Sequence, residues 1–247
     1  MNQDVDVKTK GEKPLGGKSY GSIPHLLGSK LGDGDHHVHE GQHRICTEKT
    51  RDKYDFVIVQ EKYDGSNVGV ANIDGKIIAL VRAGYTAESS PYEQHHHFAR
   101  WVGNNIERFE AMLSPGMRIC GEWLLQAHGI KYTIPDEPFV AFDIIDGKTR
   151  LPYGLFSEIA QEYGFTLPRL IRMGHSPFSI DEVMGDNVTF MKPWVRSEEK
   201  EGVVYRVERK GVVDFLAKFV RNDFIPGKYL PEISGQKEVW NCDISNI

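Results

Sequence analysis

Apolar residues fall into two rhythms along this chain: short β-branched runs closed by turn residues, and one longer stretch at helical spacing. Phe56-Val57-Ile58-Val59-Gln60 is a near-continuous apolar run of strand length and reads as a buried strand. Val68–Ile73 and Lys76–Val81 flank Asp74-Gly75, a tight-turn dipeptide, and read as a hairpin. Met117–Leu125 and Phe139–Ile145 predict two more strands. Glu198–Val207 leads a run of acids into a strand, Glu208–Gly211 predicts a turn, and Val212–Arg221 is the paired strand. Between these runs, Phe98, Trp101, Val102, Ile106, Phe109 and Leu113 recur at steps of three and four. That spacing predicts a helix from Tyr92 to Leu113, with Ser89-Ser90-Pro91 as its cap and first-turn proline. His95, His96 and His97 cannot share one face of it and are expected to be solvated. A shorter helix is predicted over Leu155–Tyr163, closed by Gly164, and another over Ser179–Met184.

The strands carry outliers. Lys62, Arg82, Glu122, Phe142, Glu201 and Lys218 each interrupt or end an apolar run. So regular a set points to one groove between two antiparallel sheets. Lys62 ends a buried strand beside a glycine-containing bend, a setting that suits a nucleophilic amine because a desolvated lysine loses its proton readily. Alone, the common tetrapeptide Lys62-Tyr63-Asp64-Gly65 reads first as a surface lysine in a loop. A carboxylate such as Glu122 inside an apolar strand needs a metal, a cationic ligand or a structural salt bridge. Asp143 is a further acid within a strand.

Composition narrows the classes. The 247 residues are 40% hydrophobic and 26% charged with net charge −5, which is enough for one large or two small domains with a true core. The apolar pattern continues unbroken after about residue 50 and predicts no domain boundary there. The acidity argues against a nucleic-acid-coating protein but not against a local basic groove. Cys46, Cys120 and Cys242 are odd in number and far apart, so a disulfide framework is not expected and a reducing cytoplasm is. The polar N-terminus has no signal-peptide core, and no apolar run reaches the roughly 18–20 residues that span a membrane. Residues 1 to about 20 are expected to fray. Tyr20–Asp35 is rich in glycine and small hydroxyls and fits either a loop whose amides face a phosphate or an ordered surface loop. His36, His37, His39 and His43 lack an accompanying cysteine pair and read as polar loop histidines rather than a zinc site.

In this order, these residues resemble the covalent nucleotidyltransferase superfamily of ATP-dependent ligases and mRNA capping enzymes. Within it they are most similar to RNA ligases that repair nicked RNA. The lysine motif matches Lys62-Tyr63-Asp64-Gly65-Ser66-Asn67, whose serine-asparagine ending favours the RNA ligase branch. Arg82, Gly121-Glu122, Phe142-Asp143, Glu201-Gly202-Val203-Val204 and Lys218 match the later motifs, so the likeness covers roughly residues 54 to 221. The chain departs from the pattern in two places. Leu216 stands where the last motif usually has a second lysine, and the stretch of about 26 residues after Arg221 is too short for the OB domain many relatives carry.

The resemblance implies an α+β nucleotidyltransferase (ATP-grasp-like) fold, with antiparallel sheets and flanking helices around an ATP groove. It divides the chain into an N-terminal extension, 1–50, and a catalytic domain, 51–247. It implies that Lys62 attacks the α-phosphorus of ATP to form lysyl-AMP, its pKa lowered by nearby cations or desolvation, with Lys218 supplying repulsion and a phosphate contact. Mg²⁺ or Mn²⁺ would be held by Glu201, with Glu122 nearer the ribose or a second metal. Phe142 would stack on adenine, Glu61 would accept from its amino group, and Arg82 and Asn67 would orient ribose and phosphate. The expected partner is RNA with 5′-phosphate and 3′-hydroxyl ends, tracked by Arg118, Lys131 and Gly28-Ser29-Lys30. Residues 1–50 would share that work or merely cover a sheet edge. An end-healing enzyme would be a natural companion. A DNA ligase or capping enzyme is the alternative in the same chemistry, with capping disfavoured by Glu61 and the missing OB domain. A nucleic-acid-binding module that lost catalysis is the alternative outside it, and intact Lys62, Glu122 and Glu201 argue against it.

Overall fold

The computed structural model describes residues 11, 13–134, 136–185, 195, 197 and 199–247. Its strands are β1 (Asp55–Lys62), β2 (Ser66–Ile73), β3 (Lys76–Val81), β4 (Met117–Trp123), β5 (Phe139–Asp146), β6 (Thr149–Arg150), β7 (Leu170–Gly174), β8 (Gly202–Arg209) and β9 (Val212–Val220). They form two antiparallel sheets, ordered β7-β1-β8-β9 and β3-β2-β4-β5-β6. The helices are α1 (Glu40–Thr47), α2 (Glu93–Asn104), α3 (Ile106–Met112), α4 (Tyr153–Glu162), α5 (Ile180–Met184) and the short α6 (Pro231–Ser234). This is the α+β arrangement of antiparallel sheets and flanking helices that the resemblance implies.

The β2–β3 hairpin turns as its dipeptide dictates: Asp74 and Gly75 both sit in the left-handed region, at φ 51 and 83. The β8–β9 turn is tighter than expected. Only Lys210 and Gly211 make it, at φ 53 and 77, while Glu208 stays in the strand and accepts a hydrogen bond from the Tyr153 amide.

The long helix predicted over 92–113 is two helices, broken at Asn105, where φ is −116. The Asn105 side-chain amide donates to the Trp101 carbonyl, the local competition with the helix backbone that asparagine supplies. The break turns Ile106 outward, so it is exposed rather than part of the core face, while Phe98, Trp101, Val102, Phe109 and Leu113 are buried as expected. The start also differs: Tyr92 is the N-cap and Pro91 lies outside the helix. Of the three histidines, His96 is solvated as expected, but His97 is buried against the Trp240 ring and His95 is half-buried. Trp240 comes from the C-terminal segment, which local spacing could not place there.

The first helix was not anticipated, because its only buried apolar residues are the adjacent Ile45 and Cys46. Its start is nonetheless written locally. His39 accepts from the Gly41 amide while Gln42 accepts from the His39 amide, a reciprocal cap.

Two main apolar clusters result. One packs α2, α3 and α4 with β2, β4 and β5, and takes in Trp240, Cys242, Ile244 and Ile247. The other joins Leu26, Val38, Ile45 and Cys46 to Val57, Val59, Val203 and Tyr205 on the β1–β8 sheet. Fraying is expected to about residue 20; residues 1–10 lie outside the described residues, but Ser19 and Tyr20 are buried and both amides donate to the Arg82 carbonyl. No described helix is long and apolar enough to cross a membrane.

Asp143 is fully buried and anchors the floor between the sheets. It accepts from Arg206 at 2.9 Å, Arg150 at 2.8 Å and the Tyr20 hydroxyl at 3.0 Å. Removing one member of a buried ion pair leaves the other uncompensated. Asp143→Ala is therefore expected to lower stability by about 3 kcal/mol, read by urea unfolding. A loss below about 1 kcal/mol would show that Arg206 finds other partners.

Candidate nucleotide-binding site

Each sheet contributes one row of side chains to a shared cleft. In the first, Gln60 of β1 faces Val204 of β8, which faces Lys218 of β9. Lys62 lies two residues beyond Gln60 and so projects from the same face. In the second, Asn67 of β2 faces Glu122 of β4, which faces Val140 of β5. The Arg82 amide donates to the Asn67 carbonyl at the row's outer end, and Phe142 lies two residues beyond Val140. Strand register thus converts residues scattered over more than 150 positions into two facing rows.

Between the rows lies a cavity of about 760 Å³. Glu61, Lys62, Asn67, Arg82, Glu122, Phe142 and Lys218 all line it. Glu201 is buried behind Lys62, and its Oε2 stands 2.7 Å from the lysine Nζ. Two glycines hold this geometry. A Cβ at Gly202 would overlap the Phe219 carbonyl across the ladder, and one at Gly65 would come 2.5 Å from the Trp123 carbonyl. The Gly65 amide donates to Glu122 Oε1 at 3.1 Å, tying the lysine loop to β4.

The electrostatics reverse one expectation. Burial does act to lower the Lys62 pKa, but the carboxylates of Glu201 and Glu122 outweigh it and hold the ammonium above the ordinary lysine value. Burial pushes both carboxyls up to about 7, against the pull of Lys62. Lys218 is lowered, by burial and then by the Lys62 charge. Glu61 is raised by burial, opposed by Arg169, whose Nη1 lies 3.6 Å away.

Four cleft residues escaped the sequence reading or were read otherwise. Arg206 lines the cavity, and its Nε is buried with no hydrogen-bond partner. It interrupts the apolar run Val203–Val207 as Glu122 interrupts its own, so the same signal marks it. Tyr20 lines the cavity with its ring edge-on to Phe142 at 5.0 Å. Leu216, flagged as a departure, is a wall residue. His95 also lines the cleft, bonded to Ser90 Oγ at 2.6 Å and Ser66 Oγ at 3.1 Å, and burial followed by the His128 charge pushes it down to about 4. It is therefore neutral at physiological pH. Nothing in its local sequence distinguishes it from His96.

The side chains expected to track RNA all have contacts within the protein. The Arg118 guanidinium donates to the Ser19 and Gly147 carbonyls, and the Lys131 ammonium sits over the Tyr229 ring. Ser29 bonds His25 and the Val220 amide, and Lys30 donates to the Phe224 carbonyl. The Tyr20–Asp35 stretch is thus an ordered loop whose small polar groups are used within the protein. Among the described residues no group of three His, Cys, Asp or Glu side chains is placed to hold a metal. Of the four expected loop histidines, His39 caps α1 and His43 lies inside that helix, where its carbonyl accepts from Thr47 Oγ1.

The cleft fits an anionic nucleotide. Lys62, Lys218 and Arg82 converge on it, Phe142 offers a ring, and Asn67 Oδ1 is a buried acceptor with no partner. It also fits a divalent cation of the kind held by one or two carboxylates and completed by phosphates and water, rather than caged by protein.

The RNA ligase family model matches residues 55–220, the stretch that supplies both rows. The chain belongs to the RNA ligase family. Among solved RNA ligases, a mutant of the Naegleria gruberi enzyme with ATP and Mn is 16% identical with TM-score 0.52, covering 90% of this chain and 62% of that one. An apo mutant of the same enzyme is 14% identical with TM-score 0.52, covering 96% and 64%. An archaeal ATP-dependent RNA ligase is 18% identical with TM-score 0.48, covering 82% and 48%. The Naegleria likenesses show a shared fold, and the chain spans between about half and two-thirds of the length of these RNA ligases. Comparison with curated proteins returns no match.

Proposed function

We propose that this chain is an ATP-dependent RNA ligase joining 5′-phosphate to 3′-hydroxyl ends through lysyl-AMP. The observation that carries the reading is Lys62, partly buried where the two rows meet, with two carboxylates and a second lysine around it. ATP is a substrate here. The Lys62 nitrogen forms a bond to the α-phosphorus as the bond to pyrophosphate breaks, and the amine proton is released. The 5′-phosphate of RNA then takes the adenylyl group, restoring Lys62. Finally the 3′-hydroxyl attacks that phosphate, AMP leaves, and a phosphodiester remains.

The chain's own groups serve these steps in different ways. Lys62 has to shed a proton that Glu201 and Glu122 now hold in place, so a ligand that takes up their negative charge frees the amine. Lys218 and Arg82 offer charge to the phosphates, Arg82 through its planar fork. Phe142 offers a stacking face, and Asn67 Oδ1 an acceptor for a ribose hydroxyl. A divalent cation, Mg²⁺ or Mn²⁺, would be held by Glu201 and Glu122 with the nucleotide phosphates and would neutralise charge there. On this reading 51–247 is the catalytic domain, nicked or broken RNA the partner, and an end-healing enzyme its companion. The direct test is incubation with α-labelled ATP and Mg²⁺ followed by denaturing electrophoresis. Label that runs with the protein supports the reading, and its absence under all metal conditions overturns it.

Nucleotide choice gives a second check. Adenine presents an amino donor where guanine has a carbonyl, and the Glu61 carboxylate lines the cleft as an acceptor. ATP is expected to label the protein at least about tenfold better than GTP, since an unmatched buried acceptor costs about 1–3 kcal/mol. Glu61→Ala narrows that gap. Equal labelling by GTP would return the capping chemistry to the front.

A further inference from the structure

Outside the matched 55–220 stretch, one polar chain ends on a cleft residue. Residues 24–30 run along the free edge of β9: the Lys218 amide donates to the Pro24 carbonyl, Leu26 donates to the Lys218 carbonyl, and Lys30 donates to the Val220 carbonyl. The same segment then folds its side chains back. Ser29 Oγ accepts from the Val220 amide at 2.9 Å and lies 2.6 Å from His25 Nδ1. His25 Nε2 lies 2.9 Å from Asp35 Oδ2. Asp35 Oδ1 lies 3.5 Å from Lys218 Nζ, and the Gly32 amide donates to Oδ2 at 3.1 Å.

We propose that Asp35, held by His25 and Ser29, is a positioning residue that keeps Lys218 charged and aimed into the cleft. This rests on the ligase reading above. Ser29 Oγ and His25 Nδ1 share one hydrogen bond, and the other ring nitrogen sits 2.9 Å from the Asp35 carboxylate, so the imidazole spans the gap between the β9 edge and Asp35. Burial and the Lys218 charge keep His25 below its usual value. His25 is almost wholly buried, so the imidazole cannot be exchanged for water. Lys62 from β1 and Arg82 beyond β3 both act against the Lys218 charge, and Asp35 acts for it. Asp35 is the acid that offsets them. The role matters here because Leu216 offers no second cation at the cleft wall.

The test is lysine Nζ titration by NMR in the nucleotide-free full chain, read beside self-adenylylation. In Asp35→Asn the Lys218 titration is expected about one pH unit lower, because an opposite charge has been removed from a buried ammonium. Linkage requires the reciprocal: Lys218→Met raises the Asp35 carboxyl titration. That second variant decides the matter should the first fail to fold. Asp35→Asn is also expected to slow labelling from ATP about tenfold, and Asp35→Glu to restore most of it. An unmoved Lys218 titration in a folded Asp35→Asn protein overturns the pair. A moved titration with unchanged labelling overturns the positioning role. A parent chain that takes no label, yet shows both titration shifts, overturns the ligase reading and leaves the Asp35–Lys218 pairing standing.

Discussion

Lys62→Ala is expected to yield a folded protein that takes no detectable label from ATP. The reasons are local. The substitution removes the amine paired with Glu201, and the other lysine that lines the cleft, Lys218, stands on β9 beside Asp35. Losing a nucleophile removes the covalent step rather than slowing it, so labelling falls to background. The fold should persist, because the β1–β8 ladder and the Gly65 amide contact to Glu122 use backbone groups that alanine keeps. Lys62→Arg separates charge from chemistry. It keeps an ion pair for Glu201 but cannot supply a neutral amine, since the guanidinium stays protonated. Labelling of folded Lys62→Ala at the parent's level would remove Lys62 from the reaction and with it the central proposal. Melting curves of both variants beside the parent establish that a lost label is not a lost fold.

Glu201→Gln sets two effects against each other, and their balance is the informative quantity. The Glu201 carboxylate raises the Lys62 pKa, so its loss lets the ammonium titrate at lower pH. If Glu201 only clamped the lysine, the variant would label faster at neutral pH. If it also holds a divalent cation against the phosphates, labelling falls by about 10²–10³, the size of effect seen when one preorganised charge contact is removed from a reacting group. We expect the fall, together with a demand for much more Mg²⁺. Lysine NMR should show the lowered Lys62 titration in the same protein. An unchanged metal dependence with faster labelling would leave Glu201 a clamp and nothing more.

Much of this protein was legible in the chain because the signals are local. The Asp-Gly turn, the β-branched runs and the outliers Lys62, Glu122 and Lys218 are properties of single strands, and a strand's pleat decides its own faces. The helix predicted from Tyr92 to Leu113 failed at Asn105 for an equally local reason, a side chain that competes with the backbone, and that residue was there to be read. His97 and Trp240 are different. Their contact joins segments more than 140 positions apart, and neither neighbourhood announces it.

The sequence by itself determined the strands, the turns and the side chains that stand out from them, because hydrophobic period and turn chemistry act within a few residues. Only the tertiary structure decided the charge states. The Lys62 pKa is raised because strand register brings Gly202 opposite it and so carries Glu201 to 2.7 Å, and the carboxylate outweighs the opposing effect of burial. Lys218 is paired with Asp35 because an N-terminal segment closes along the β9 edge. Such couplings depend on distance in space and on exclusion of water, and neither quantity is written in the spacing of residues along the chain.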